Sequence, residues 1–425
     1  MCKRPVLIHE IHDMWPATLI EMGGMRKSNP FVRLLQAAEN SAYRHSDAVV
    51  SILPNTEAYM LEHGLSEGKF HCVTNGVVLE DWENPEPLPE GHRSKLDQLR
   101  QEGKFIVGYF GSHGLSNALD ALLDAAKKLQ EQSDDIAIVL VGDGPEKKRL
   151  HDRIETERIF NITMLDPVPK KSIPALLALL NCAYAGTMDS SLYRFGLSNN
   201  KYYDAMMAGI PVILSTNARN TVIETADCGI IVPANEVEEI ADAILRMSRM
   251  PEEERKALGE KGRKVVLQKY TYDKLADSFE TVMDDLIGHG EGAKKNILYI
   301  EHYAGSIDMG MEYRPYYLAK EWVKHGNRAD IIAADFSHLR KKNPVISKDF
   351  DEETVDGIHY HWIHTGTYEG NGVKRAMTMF AFVGKLLLHA KRIEKQLQPD
   401  VIITSSTYPL DTYAGQRIRR KKGRL

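Results

Sequence analysis

Three stretches of this 425-residue chain put residue types that handle protons and anions at the ends of apolar runs. The run Val6–Ile11 is followed at once by His12, Asp13, Trp15 and the turn-forming Pro16. An imidazole at the carboxyl end of a strand can exchange a proton near neutral pH. Glu10 shares a strand face with His12 by the two-residue period, and Asp13 is the neighbour that would orient the ring or bind an acceptor hydroxyl. The second stretch, Gly111-Ser112-His113-Gly114, follows the run Phe105–Phe110 and precedes a helix, the context in which backbone N–H groups cradle a phosphate. In the third, Phe195 to Val212, a glycine-bearing loop enters a helix carrying Asp204. That helix stops at Gly209-Ile210-Pro211 before a strand, so its amino end can face an anion with one inward carboxylate nearby. No Asp-x-Asp pair stands in a loop after a strand. The expectation is that no metal cofactor is used and that amides and cations meet the anion's charge.

The elements that would position these residues alternate between strand and helix along the chain, which implies parallel sheets flanked by helices. Residues 1–80 hold strands at Val6–Ile11 and Ala48–Leu53 around a helix through Phe31–Ser46. From Lys104 onward, strands at Phe105–Phe110, Ile136–Val141, Ile162–Leu165, Cys182–Ala185, Pro211–Leu214 and Gly229–Val232 make a full doubly wound domain, with closing helices from Pro251 to Leu286. The run from Asn296 to Ile300, a loop with glycines, and an amphipathic helix from Tyr313 to His325 are how such a domain ordinarily begins. Here they come after a complete domain. Strands at Ala329–Ala334 and Val401–Thr404 and a hairpin over Thr354–Ile363 follow. Residues 296–425 and 1–80 are therefore expected to complete one domain in circularly permuted order. The polar, glycine-rich stretch 286–295 is the linker between old termini, and 81–285 form the other domain.

Composition excludes several classes. Cys2, Cys72, Cys182 and Cys228 are far apart without paired ligand spacing, which argues for a reducing cytoplasm and against a disulfide framework or structural zinc. No apolar run approaches the ~20 residues of a spanning helix, and no signal peptide is expected at its start. A formal charge of −5 gives no general signal for nucleic acid. From Val373 to Arg392, Met, Phe and Leu stand between flanking cations. That composition suits either a core helix whose lysines reach solvent or a helix lying on an anionic membrane surface at the inner face of the membrane.

Taken together, the chain resembles the retaining glycosyltransferases of the GT-B fold, in particular the large bacterial group, family four, that builds surface polysaccharides. The resemblance rests on His302-Tyr-Ala-Gly-Ser with Gly310 and Arg314-Pro-Tyr-Tyr-Leu-Ala; Glu10-Ile-His-Asp-Met-Trp-Pro16; Asn75-Gly76-Val77; Gly111-Ser-His-Gly114; Gly142-Asp-Gly-Pro145; and Phe195 to Val212. It implies two Rossmann-like α/β domains facing across a cleft. It also implies sugar transfer from a nucleotide diphosphate sugar, with uridine the commonest base, to a hydroxyl of a glycan or lipid-linked acceptor. Asp204 stands where the family's carboxylate accepts hydrogen bonds from the donor ribose. Arg194, Gly196, Ser198, Asn200 and Lys201 fall in its donor loop, with Lys201 first among the cations for the diphosphate. Gly310 would bring backbone close to the same diphosphate. His12 stands where the family keeps a functional histidine or arginine, with Asp13 beside it, while Glu10, His302 and Glu312 are the acceptor-side candidates. The chain departs from the family's two-glutamate pattern: Tyr193-Arg194 replaces the first acid, and Ser116-Asn117-Ala118 stands where relatives carry a cation. A sugar-nucleotide epimerase or hydrolase of the same architecture, and a non-catalytic nucleotide-binding partner subunit, are the competing readings.

Overall fold

The computed structural model describes residues 4–288, 293–310, 313–370 and 372–419. Fourteen strands follow one another among them: β1 (Val6–Ile11), β2 (Ala48–Ser51), β3 (Phe70–Cys72), β4 (Phe105–Ser112), β5 (Ile136–Asp143), β6 (Ile162–Leu165), β7 (Cys182–Gly186), β8 (Val212–Ser215), β9 (Gly229–Val232), β10 (Asn296–Ile300), β11 (Arg328–Ala334), β12 (Asp351–Val355), β13 (Ile358–Ile363) and β14 (Val401–Thr404). The chain divides into two compact units, Met1–Thr74 with Tyr272–Leu425, and Asn75–Thr271.

The unit drawn from both ends of the sequence is built on an eight-stranded sheet ordered β12-β13-β11-β10-β14-β1-β2-β3. Only the β12–β13 hairpin is antiparallel. β1 lies between β14 and β2, with Val6 opposite Val401 and Ile8 opposite Ala48. Its residues from Leu7 to Ile11 are all buried, as expected of a parallel strand covered on both faces by helices. One covering helix, Pro30–His45, starts with Asn29 accepting from the Phe31 amide at 2.9 Å and with proline as its first residue. Another, Thr412–Ile418, lies so near the sheet that a Cβ on Gly415 would stand 2.6 Å from Thr404 Cγ2.

The continuous unit carries a six-stranded, fully parallel sheet ordered β6-β5-β4-β7-β8-β9, which is the 3-2-1-4-5-6 winding of a dinucleotide-type domain. Apolar clusters fill both faces. The winding reverses between β4 and β7, and the loops that follow these two strands meet where the Met188 amide donates to the Ser116 carbonyl at 3.1 Å.

The units divide at Thr74/Asn75 and Thr271/Tyr272, a few residues before the expected 80/81 and a whole helix before 285/286. The reason is packing. The helix Tyr272–Ile287 buries Phe279 edge-on against Trp322, with ring centroids 5.3 Å apart. Its Asp284 also takes the buried Lys295 ammonium at 2.8 Å, just before β10. Helix Val373–Leu397 buries one face through Phe382, Leu386 and Ile393, while Val373, Met377, Phe380 and Leu388 on the other are 45–81% exposed. Among the described residues no helix is long and apolar enough to cross a membrane. Part of the expected linker (289–292), Cys2 and the basic end beyond Arg419 lie outside the described residues.

Because Phe279 and Trp322 are both fully enclosed, Phe279→Ala should cost about 3–5 kcal/mol and lower the urea midpoint for unfolding of the two-segment unit. An unchanged midpoint would show that the helix adds nothing to that core.

Candidate functional site

In the continuous unit, the expected anion-binding residues gather where the winding reverses. The Lys201 ammonium, in the first turn of the helix Asn200–Met207, donates to Asn117 Oδ1 at 2.8 Å and to Tyr109 OH at 3.2 Å, and lies 4.5 Å from the centre of the Tyr109 ring. Both partners are themselves tied to the Ser112 carbonyl, Asn117 through its amide nitrogen at 2.9 Å and Tyr109 through its hydroxyl. Lys201 is thus pinned to the loop 111–114, and a Cβ on Gly111 would lie 3.5 Å from its Nζ. All these partners are neutral, and among the described residues no carboxylate pairs with Lys201. Burial pushes its ammonium down to about 8. Its positive charge is thus met by dipoles and an aromatic face and by no carboxylate among the described residues.

The glycine loops around it have little freedom. A Cβ on Gly142 would lie 1.9 Å from the Gly111 carbonyl oxygen, and one on Gly144 would meet the His113 backbone at 2.6 Å, so the turns after β4 and β5 close on each other only as glycine. His113 is fully buried between them, its amide donating to the Asp143 carbonyl. Burial, with Lys147 and Lys201 nearby, keeps its ring neutral. Asp204, one turn along from Lys201, is partly buried. Desolvation raises its carboxyl to about 6, with Lys170 after β6 pulling it down and Asp81 pushing it up. The helix therefore presents a cation towards β4 and a carboxylate towards the segment after β6.

Three members of the donor-loop set have other duties. Ser198 is buried, and both its hydroxyl and its carbonyl are taken by Asn75, at 2.9 and 2.7 Å. Arg194 is exposed, donates to the Ser191 carbonyl at 2.6 Å and lies over Phe195. Gly196 (φ +95°) makes the left-handed turn that brings the chain into Ser198. Asn200 is exposed as the first helical residue. Tyr193, in place of the family's first acid, points its hydroxyl at the Ser116 carbonyl, 3.3 Å away.

In the two-segment unit, the residues around His12 converge from four elements. Glu10 is fully buried. Its Oε1 accepts from Arg314 Nε and Nη2 at 3.0 and 2.9 Å, and its Oε2 accepts from Ser405 Oγ at 2.7 Å and from the Tyr299 hydroxyl. Burial alone would raise this carboxyl, but the Arg314 charge, then His12 and the hydrogen bonds, hold it far below the usual carboxylate range. Arg314 also reaches the Val73 and Thr74 carbonyls at 2.8 and 2.6 Å, just after β3. His12 Nε2 stands 3.2 Å from both Glu10 Oε2 and Ser405 Oγ, and its side chain is 17% exposed.

Several expectations on this side are corrected. Asp13 does not orient His12: its carboxylate accepts from the Met14 amide (2.8 Å), Trp15 Nε1 (3.1 Å) and Thr18 Oγ1 (2.6 Å), and so holds the turn after β1. Glu10 orients the imidazole instead, and being wholly enclosed it cannot also touch an acceptor. His302 is equally enclosed, its Nδ1 2.6 Å from the Tyr408 hydroxyl, and desolvation lowers its basicity well below that of a free histidine. Gly310 adopts φ +82°, but the space a Cβ would take faces the Lys341 side chain at 3.0 Å. Glu312 lies outside the described residues. Tyr109, Asn117, Tyr299, Arg314 and Ser405 were not expected as site residues. Arg314 had left a trace in the motif after Gly310, and Asn117 in the stretch Ser116-Asn117-Ala118 where relatives carry a cation.

Comparison with known proteins is consistent with this geometry. Residues 93–265, most of the continuous unit, match the family model described as Glycosyl transferases group 1. The chain is similar to a probable glycosyltransferase, WbjE, of Pseudomonas aeruginosa (23% identical over 211 residues, 48% of this chain and 49% of that one). It is also similar to spore coat protein SA of Bacillus subtilis (26% over 237 residues, 52% and 59%). The chain thus spans about half to three-fifths of the length of the curated relatives it matches. The structure of Anabaena Alr3699/HepE in complex with UDP and glucose superposes with a TM-score of 0.50 at 18% identity, covering 66% of this chain and 71% of that one. The architecture is accordingly the two-domain, GT-B-like α/β fold with parallel sheets.

An enclosed ammonium without a counter-charge weakens the ligand-free protein. Lys201→Met should therefore raise its melting temperature by ~2–4 °C in a thermal scan, and a fall would show that the charge is already satisfied.

Proposed function

We propose that this chain is a retaining glycosyltransferase that moves a sugar from a UDP-linked donor to a hydroxyl of a glycan or lipid-linked acceptor in cell-surface polysaccharide synthesis. The observation that carries the reading is Lys201: a cation with only neutral partners, at the winding reversal of the unit whose residues match the glycosyl transferases group 1 model. The nucleotide and sugar in the Anabaena relative's structure support the donor class. In this reading Lys201 meets the diphosphate along with amides of the 111–114 loop. Asp204 accepts from the ribose, and the base lies towards the segment after β6. His12 faces the transferred sugar and the incoming hydroxyl. The leaving diphosphate is stabilised by the ammonium and fixed dipoles.

We also propose that the segment order is a circular permutation. Counted from β10 and continued from β14 into β1, the parallel strands of the two-segment sheet, with the hairpin taken through β13, run 3-2-1-4-5-6-7. That is the winding of the continuous unit with a strand added at one edge. Counted from Val6, no such order results.

The exposed stripe Val373, Met377, Phe380 and Leu388, next to Lys374 and Lys391, supports a further part of the proposal: contact with an anionic membrane surface from the cytoplasmic side. Co-sedimentation with phosphatidylglycerol vesicles should be strong for the intact chain and about tenfold weaker for Met377→Glu/Leu388→Glu. Equal binding of the two would remove the membrane contact.

The test of the activity is mass spectrometry of a nucleotide-sugar panel with and without glycan acceptors. Nucleotide release that needs no acceptor would favour the epimerase or hydrolase. Donor binding without turnover would favour the partner subunit. Donor affinity should also carry both titrations. It weakens as pH falls through about 6, where Asp204 takes up a proton, and again as pH rises through about 8, where Lys201 loses one. Asp204→Ala should weaken UDP-sugar binding ~10–100-fold, the equivalent of about 1.5–3 kcal/mol, and leave acceptor binding unchanged. Equal donor affinity in calorimetry would remove Asp204 from the site.

A further inference from the structure

The hydrogen bonds beneath His12 call for a hydrogen on its Nε2. Glu10 is ionised and can only accept. Its Oε2 takes the single proton of the Ser405 hydroxyl at 2.7 Å, so the Ser405 oxygen has only lone pairs left to offer His12. His12 Nε2 stands 3.2 Å from each of these two acceptors. Both contacts are favourable only if Nε2 carries a hydrogen, and Nδ1 has no partner among the described residues.

We infer that Glu10 is the positioning residue of the site. Buried and fixed by Arg314 and Tyr299, it locks His12 as the Nε2–H tautomer and so presents the Nδ1 lone pair outwards, where it accepts a hydrogen bond from a sugar hydroxyl. This rests on the sugar-transfer reading for the identity of the hydroxyl only; the tautomer itself depends on nothing but the protein. The role has a built-in asymmetry. Glu10 Oε1 faces Arg314, and Oε2 faces Ser405, Tyr299 and His12. In Glu10→Gln the amide keeps its carbonyl on the guanidinium, which places the NH2 group against His12 Nε2. A donor there demands a lone pair on Nε2, so the substitution should turn the ring to the Nδ1–H tautomer.

The experiment is nitrogen NMR of the full chain labelled with 15N-histidine, the His12 signal being assigned by its loss in His12→Asn. The native chain should show Nε2–H. Ser405→Ala should keep it, because the contact with Glu10 remains. Glu10→Gln should show Nδ1–H, with kcat reduced by ~10²–10⁴-fold and donor KM within about threefold of native. A native Nδ1–H signal, or Nε2–H retained in Glu10→Gln, overturns the inference. So does full turnover in Glu10→Gln with the tautomer inverted. Should Glu10→Gln fail to fold, the native and Ser405→Ala spectra still decide, since an Nδ1–H signal in either is incompatible with a lock by Glu10. A chain without transferase activity but with these spectra would remove the function and leave the positioning role intact.

Discussion

The buried pair of Glu10 and Arg314 is the interaction on which the two-segment unit turns. Glu10 comes from β1 near the start of the sequence, and Arg314 from a helix more than 300 residues later. Through Tyr299, Ser405 and the carbonyls of Val73 and Thr74 the pair touches β10, the end of β14 and the end of β3. Removing either partner would leave an uncompensated charge in a dry interior, a loss of several kcal/mol, so the fold specifies this contact strongly. The same carboxylate stands beneath His12, whose Nδ1 has no partner among the described residues. Structure and chemistry here share a single side chain.

The other unit uses charge in the opposite way. Its key ammonium is held by a phenol, an amide and an aromatic face, none of which neutralises it. On the proposed reading, preorganisation of this kind leaves the attraction unspent until the diphosphate arrives, at the expense of stability without it. The glycines at 111, 142 and 144 serve the same end by letting two strand-end turns close together with their amides in place.

Much of the fold was legible because parallel strands buried on both faces announce themselves as short Val/Ile/Leu runs; β1, β4, β5, β10, β11 and β14 are of this kind. β3 was not, because Phe70-His71-Cys72 is three residues long at a sheet edge and only half-buried. The boundary at Tyr272 escaped because a helix pattern does not say which sheet it will cover; Phe279 and Asp284 decided that by meeting Trp322 and Lys295. For the candidate site, the pattern of loop and helix pointed to Asp204, and the family resemblance pointed to Lys201. Tyr109 and Asn117 could not be read as partners of Lys201, since they lie 92 and 84 residues away and meet it only through the winding of the sheet. Asp13 misled for a related reason: adjacency in sequence suggested a partner for His12, whereas the two-residue pleat places Glu10 under the ring and turns Asp13 towards its own turn.

The lowered basicity of Lys201 has a chemical consequence of its own. With burial pushing its ammonium down to about 8, the residue gives up its proton more readily than exposed lysines and should outcompete them for mild acylating or aldehyde reagents. An aldehyde that also carries a phosphate would be drawn to the same spot twice over, by charge and by nucleophilicity. On the proposed reading, the residue that meets the diphosphate is therefore also a handle for covalent reagents.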